Sequence, residues 1–286
     1  MHLPKSEWSA RAGTRELEDQ CELALRTDGY FLLEEVFDRG RIQTMHDDFA
    51  RLLEAHIADT STDNRGRNRY NIPIPARAPF VDTDTVLNPL WFPLLQRVLG
   101  EDLVMNYVAA DTPLQGSDYQ GAHADAYPLY PGQHHSLPAC NIVVNVMLTD
   151  FTWENGPLEI WPNGSHQFDP SEAISGSRFR EPEQVTGPAG SVVVRDARMW
   201  HRGSPNRTPH MRPMLALTYQ RSWYRFDVGY LPVAVDADTY RSWPHELQKL
   251  FRFGRVPGDL NAPVIHDTLY GNSFTAAVTS PESVPA

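Results

Sequence analysis

His123 and Asp125 stand two residues apart in the segment Gln120-Gly121-Ala122-His123-Ala124-Asp125, and an imidazole and a carboxylate at that spacing can ligate one metal ion. In an extended strand, positions i and i+2 project from the same face, so both side chains are expected to reach a common point. A second imidazole must come from elsewhere. His201 is the candidate, because it follows the apolar run Ser191 to Val194 and precedes the turn-rich stretch Arg202-Gly203-Ser204-Pro205-Asn206. Two nitrogens and one carboxylate on one face leave three coordination positions open, an arrangement associated with non-haem Fe(II) oxygenases. Eleven residues past His201, Arg212 opens a further strand whose Met214, Ala216 and Thr218 share a face. A buried arginine there can clamp a carboxylate through two parallel hydrogen bonds.

These residues need a frame, and the chain supplies it in two styles. The first third reads as helical. Leu17, Cys21 and Ala24 recur at helical spacing from Arg15 to Arg26, with Asp28-Gly29 as a stop. A short strand is expected over Tyr30 to Val36. Asp38 can then cap a helix whose stripe is Ile42, Met45, Phe49, Leu52, Leu53 and Ile57. The stretch from Asp59 to Asp82 lacks periodicity and reads as a long loop of the kind that often carries function. A helix around Val86 to Leu99 should end at Gly100, and Leu103 to Ala109 has strand character.

From there to about Arg225 the chain reads as short β segments, Asn141 to Leu148, Leu158 to Trp161, Ser191 to Arg195 and Met214 to Arg221, separated by Gly, Pro and Asn. Such spacing predicts a closed sandwich or jelly roll rather than a parallel βαβ sheet. A helix is expected over Asp236 to Phe253, and the last ten residues read as a loose tail. With no repeat and no linker, the whole of 1–286 is expected to form one domain. Its helical part would cover about 14–100, the β core about 101–225, and a C-terminal helix and tail 226–286.

Composition narrows the partners. Apolar residues make up 41% of 286, enough for a substantial core, since domains of this size hide about three quarters of the unfolded surface. The net charge of -11, from 25 basic and 36 acidic residues, argues against nucleic acid, which needs a basic face. Two cysteines, Cys21 and Cys140, leave no disulfide framework. No window approaches the roughly 20 apolar residues of a membrane span. A soluble cytoplasmic protein acting on a small molecule is expected.

The ordered set of motifs resembles the phytanoyl-CoA dioxygenase family of Fe(II)/2-oxoglutarate oxygenases. The matching features are His123-Ala-Asp125, the segment Glu154-Asn155-Gly156-Pro157-Leu158-Glu159-Ile160-Trp161-Pro162-Asn163-Gly164-Ser165-His166, His201 with Gly203 and Asn206 behind it, and Arg212. The similarity runs from about Asp28 to Tyr224. It implies a mainly β fold, a double-stranded β-helix of the cupin-like jelly-roll type, buttressed by N-terminal helices. It implies Fe(II) as the metal, O2 as the oxidant and 2-oxoglutarate as a co-substrate whose far carboxylate pairs with Arg212, with release of succinate and CO2. Hydroxylation of a small molecule is the simplest outcome, in natural-product biosynthesis by family analogy. Desaturation, cyclisation and epoxidation use the same cofactors, and a metal-binding jelly roll without oxygenase activity is the contrasting class. Halogenases of the superfamily replace the carboxylate ligand by Gly or Ala, whereas Asp125 is present.

Other positions are assigned by their surroundings. Asn141 and Asn145 share a face of an otherwise apolar strand, where a polar side chain needs a partner. Asn141 is favoured for 2-oxoglutarate, and Ser204, three residues after His201, is a second candidate. Tyr127 follows Asp125 by two residues and is a candidate substrate contact, as is the aromatic Trp223. Arg65, Arg67, Arg69 and Arg77 fall in the 59–82 loop. If that loop closes as a lid, Arg69 would recognise an anionic substrate.

Overall fold

The computed structural model describes residues 1–60, 64–126, 129–130, 137–167, 181–224, 233–257 and 259–263, the last five as backbone. Seven strands form the major sheet: β1 (His2–Leu3), β2 (Tyr30–Leu33), β3 (Arg69–Pro73), β4 (Val104–Pro113), β5 (Asn141–Met147), β8 (Val192–Asp196) and β10 (Met214–Gln220). Their order is β1-β2-β8-β5-β10-β4-β3, antiparallel throughout except for β1 on β2. A minor sheet runs β7-β6-β9, from β6 (Leu158–Ile160), β7 (Glu183–Val185) and β9 (His201–Gly203). A two-stranded ribbon, β11 (Arg255–Val256) with β12 (Asp259–Pro263), lies outside both.

Period-2 alternation makes the major sheet two-faced. Ile142, Val144 and Val146 of β5, Val192 and Val194 of β8, and Leu215, Leu217 and Tyr219 of β10 join the main core with the helices. The helix Arg15–Thr27, capped by the Thr14 hydroxyl, contributes Leu17, Cys21, Ala24 and Leu25 to it. The helix Arg39–Thr60 adds Ile42, Met45, Phe49 and Leu53, and Asp38 accepts from Arg41 N at 3.0 Å as its cap. On the opposite face, Leu32, Met147, Val193 and Met214 pack with Leu158, Ile160 and Val185 of the minor sheet. Two sheets closing on a shared interior, with helices behind the larger one, make the jelly roll that the strand spacing predicts.

Three expected elements differ. The 59–82 stretch is not a long loop: its helix runs to Thr60, and Arg69–Pro73 is an edge strand paired with β4. Asn and Pro in that segment hide the strand signal, and an edge position tolerates the Pro. The segment expected as one helix over Val86–Leu99 is split into Thr83–Val86 and Phe92–Leu99, around Pro89. The helix expected over Asp236–Phe253 is likewise two, Ala237–Ser242 and His245–Leu250. Pro244 forces the break, since it lacks an N–H and pushes Trp243 to extended backbone (φ -76°, ψ 152°). The expected C-terminal tail lies outside the described residues. Among the described residues, no helix is long and apolar enough to cross a membrane.

Candidate metal centre

His201 begins β9, and its backbone exchanges both hydrogen bonds with His123, at 2.9 and 3.0 Å. That bridge, rather than a strand through the motif, carries the first histidine. Asp125 lies in a bend, where its own N–H and that of Ala126 both donate to Ala197 O, at 2.8 and 3.1 Å. The expected i, i+2 strand face is therefore corrected to a loop pinned on the His201 segment. His123, Asp125 and His201 nevertheless converge, each with a potential ligand atom within 4.8 Å of the others.

The imidazoles are oriented for ligation. His123 Nδ1 lies 2.8 Å from Gly121 O and His201 Nδ1 lies 3.0 Å from Met199 O. With each Nδ1–H donating to a carbonyl, each Nε2 keeps its lone pair, the usual way a metal-binding histidine is fixed. The Nε2 atoms face Asp125, His201 at 3.5 Å from Oδ2 and His123 at 3.8 Å from Oδ1. Burial, joined by the positive charge of Arg195 and opposed by Asp125, pushes His201 down to about 3. It is neutral at physiological pH, the form that binds metal. Burial also disfavours an ionised Asp125, but His201, Arg195 and His123 outweigh it and hold the carboxyl below the usual carboxylate range.

The ligand set lines a cavity of about 140 Å³ between the two sheets. Asn141, Val143 and Asn145 of β5, Arg195 of β8, and Met214, Ala216 and Thr218 of β10 form its wall, the last three on the face that Arg212 was expected to head. Arg212 itself is buried, with its guanidinium carbon 4.5 Å from the centre of the Phe151 ring. Its Nε and Nη1 have no hydrogen-bond partner among the described residues. Burial, opposed by Asp111 and reinforced by Arg69, pulls it down to about 9, so it stays charged at neutral pH. A charged guanidinium with two unmet buried donors beside a cavity favours an anion there.

Several expected contacts move. Arg69 is 1% exposed, on β3, and its guanidinium serves Asp111 at 3.2 Å and Ser204 O at 2.8 Å. It packs beneath Gly203, where an added Cβ would lie 2.3 Å from Arg69 Nη1, and does not line the cavity, so it is not placed as a lid contact to substrate. The Ser204 hydroxyl donates to Pro157 O at 2.7 Å and does not line the cavity, so it is not placed for 2-oxoglutarate. Trp223 is 61% exposed in the turn after β10, away from the cavity lining. Tyr127 lies outside the described residues. Asn141 does line the cavity, and its amide oxygen has no partner among the described residues.

Arg195 was missed. It is 3% exposed, donates from Nη2 to Asp125 Oδ2 at 2.5 Å and from Nε to Asn145 Oδ1 at 3.0 Å. Alternation from Val193 does place a charge on the inner face at 195, but the position reads equally as the polar end of a strand.

A jelly roll with an imidazole-imidazole-carboxylate centre and an unpaired arginine in the same cavity defines an Fe(II)/2-oxoglutarate-dependent dioxygenase that uses O2. The family model described as phytanoyl-CoA dioxygenase (PhyH) matches residues 25–214, and the chain belongs to that family. It is 25% identical over 223 residues to Dioxygenase af480 of Aspergillus fumigatus, covering 70% of each protein. It is 22% identical over 261 residues to the uncharacterized protein Rv1501 of Mycobacterium tuberculosis, covering 85% of this chain and 90% of the relative. HygX from Streptomyces hygroscopicus, solved with nickel, 2-oxoglutarate and hygromycin B bound, shares the fold at a TM-score of 0.55 and 19% identity, over 74% of this chain and 88% of HygX. AviO1 from Streptomyces viridochromogenes Tue57 superposes at 0.54 with 19% identity, over 73% and 97%.

Proposed function

We propose that His123, Asp125 and His201 hold the Fe(II), that Arg212 takes the far carboxylate of 2-oxoglutarate, and that the enzyme hydroxylates a small molecule with release of succinate and CO2. The observation that supports this most directly is the pairing, across one cavity, of a three-ligand cluster with the orphaned guanidinium of Arg212. Asn141, whose carbonyl receives Ala197 N beside the Asp125 bend, serves the metal end of the co-substrate in this reading. A metal-binding jelly roll without oxygenase activity has no use for a buried unpaired arginine. Anaerobic addition of Fe(II) and 2-oxoglutarate is expected to produce a weak visible charge-transfer band, and air should then yield succinate. Failure of well-folded protein to show the band would remove the reading.

The substrate enters from a second cavity of about 700 Å³ that shares Arg65, Asn71 and Tyr107 with the first. Its wall is largely apolar, with Pro73, Ile74, Ala76, Val108 and Val233, and it carries two cations, Arg65 and Arg77. Neither guanidinium has a side-chain partner among the described residues. Asp236, the one acid among the described lining residues, is occupied as an N-cap, accepting from Asp238 N and Thr239 N. The fitting substrate is therefore an apolar small molecule with one anionic group, consistent with a role in natural-product tailoring. HygX holds hygromycin B together with 2-oxoglutarate, which supports a small-molecule substrate here. In a screen of carboxylic acids against their methyl esters, read by substrate-triggered succinate release, the acids should be preferred. The Arg65→Ser/Arg77→Ser double variant should erase about tenfold or more of that preference, the scale of one charged hydrogen bond. Equal turnover of acid and ester by the unaltered enzyme would dismiss the anionic group.

A further inference from the structure

We propose that Arg195, steadied by Asn145, positions Asp125 as a one-oxygen metal ligand and donates to the carboxylate at the keto end of 2-oxoglutarate. This rests on the metal and co-substrate assignments just made. Three arginines are buried among the described residues, and two of them, Arg195 and Arg212, line the inner cavity. Arg69 is paired with Asp111, Arg195 with Asp125, and Arg212 with no acid. Arg195 is the one that touches the ligand cluster, through a 2.5 Å contact to Asp125 Oδ2. A carboxylate oxygen held that firmly by a guanidinium is a poor second tooth for a metal, so Asp125 offers chiefly its other oxygen. The positions that a chelating carboxylate would consume stay open, as the three-ligand centre requires.

The second half of the proposal comes from donors that the protein leaves unused. Arg195 Nη1 and Asn145 Nδ2 are both buried without a hydrogen-bond partner among the described residues, and both residues line the same cavity as the cluster. They belong to neighbouring strands: Asn145 is paired with Val193 of β8, and its Oδ1 accepts from Arg195 Nε. Buried donors left unmet are costly and rare, so a cluster of them marks the place of an absent acceptor. Arg212 accounts for one end of a dicarboxylate. Arg195 and Asn145 sit against the metal ligands and account for the other.

The two ends can be told apart by ligands that have only one. 2-Oxoglutarate carries both carboxylates, whereas 2-oxovalerate carries the keto-acid end alone. Calorimetric titration of each into the Ni(II)-loaded protein reads binding without turnover. Arg195→Met should weaken both ligands by the same factor, about tenfold to a hundredfold for one charged hydrogen bond. Arg212→Met should weaken 2-oxoglutarate and leave 2-oxovalerate unchanged. Arg195→Lys, which keeps the charge but loses the fork, should recover part of the loss for both ligands. Should Arg195→Met fail to fold, Arg195→Lys and Asn145→Leu carry the test, with weakening of both ligands expected again. Loss of 2-oxoglutarate binding alone in the Arg195 variants, or affinities within twofold of the unaltered protein for both ligands, would overturn the proposal. Absence of 2-oxoglutarate binding to the unaltered Ni(II) protein would instead fail the co-substrate assignment itself.

Discussion

Replacing Asp125 by alanine is expected to lower 2-oxoglutarate-dependent succinate formation by about a thousandfold or more, the scale seen when a group needed throughout the chemistry is removed. The loss has two sources. The metal would keep only the two imidazoles, His123 and His201, and its affinity would fall. Arg195, 3% exposed, would also lose the carboxylate that holds it at 2.5 Å. An uncompensated buried charge costs about 3–5 kcal/mol when its partner is deleted. Asp125→Ala should therefore melt at a lower temperature than the unaltered protein even without metal, in a thermal scan of the apoprotein. Combining it with Arg195→Met should return much of that stability while activity stays lost, because two contacting sites are not additive. A double variant as unstable as Asp125→Ala alone would show that the ion pair is not the source.

The parts of the centre that were legible in the sequence are those whose chemistry is rare and whose spacing is local. His123-x-Asp125 and His201 stood out by type, and the reach from His201 to Arg212 placed a cation on a strand whose alternation was plain. Met214, Ala216 and Thr218 do line the cavity with Arg212. The β5 alternation separated Asn141 and Asn145 from Ile142 and Val144, which go to the helical core. Conformation was harder. Asp125 reaches the cluster because two backbone N–H groups of its bend converge on Ala197 O, a contact across 72 positions that no local pattern encodes.

The misses share a cause. Arg69 looked like a loop cation because Asn, Pro and charged neighbours mask β3, yet its pairing with Asp111 on β4 buries it. Ser204 was judged by its distance from His201 along the chain, but its hydroxyl turns to Pro157 O on the chain entering β6. Arg195 was passed over because the end of an apolar strand is where charge is ordinary. Only the sheet neighbours Asn145 and the Asp125 bend reveal that it points inward. In each case the deciding partner is far along the chain, and the side chain's role is set by tertiary pairing.

Arg212→Met should show a site in which function opposes stability. Arg212 is buried with Nε and Nη1 unmet, and burial pulls its guanidinium down to about 9, well below its ordinary value. A base whose folded value lies below its unfolded one holds the folded state back while it is charged. The penalty is full below pH about 9 and is relieved only as pH rises beyond it toward the ordinary guanidinium range. At neutral pH the apoprotein carries all of it, and an apolar residue of similar length removes it. The variant apoprotein should therefore melt at a temperature equal to or higher than the native one. Its affinity for 2-oxoglutarate should nevertheless fall by about a hundredfold to a thousandfold, since two charged hydrogen bonds are lost together. Melting scans with Ni(II) and saturating 2-oxoglutarate read both effects at once, because a ligand that binds only the folded state raises the midpoint in proportion to the logarithm of its concentration over Kd. The native protein should gain strongly from 2-oxoglutarate and the variant little. A variant that is less stable without ligand and equally responsive with it would mean that Arg212 is held by the fold for packing alone. The orphaned donors argue the other way, because buried donors without an acceptor are costly and the carboxylate proposed for Arg212 would meet that need.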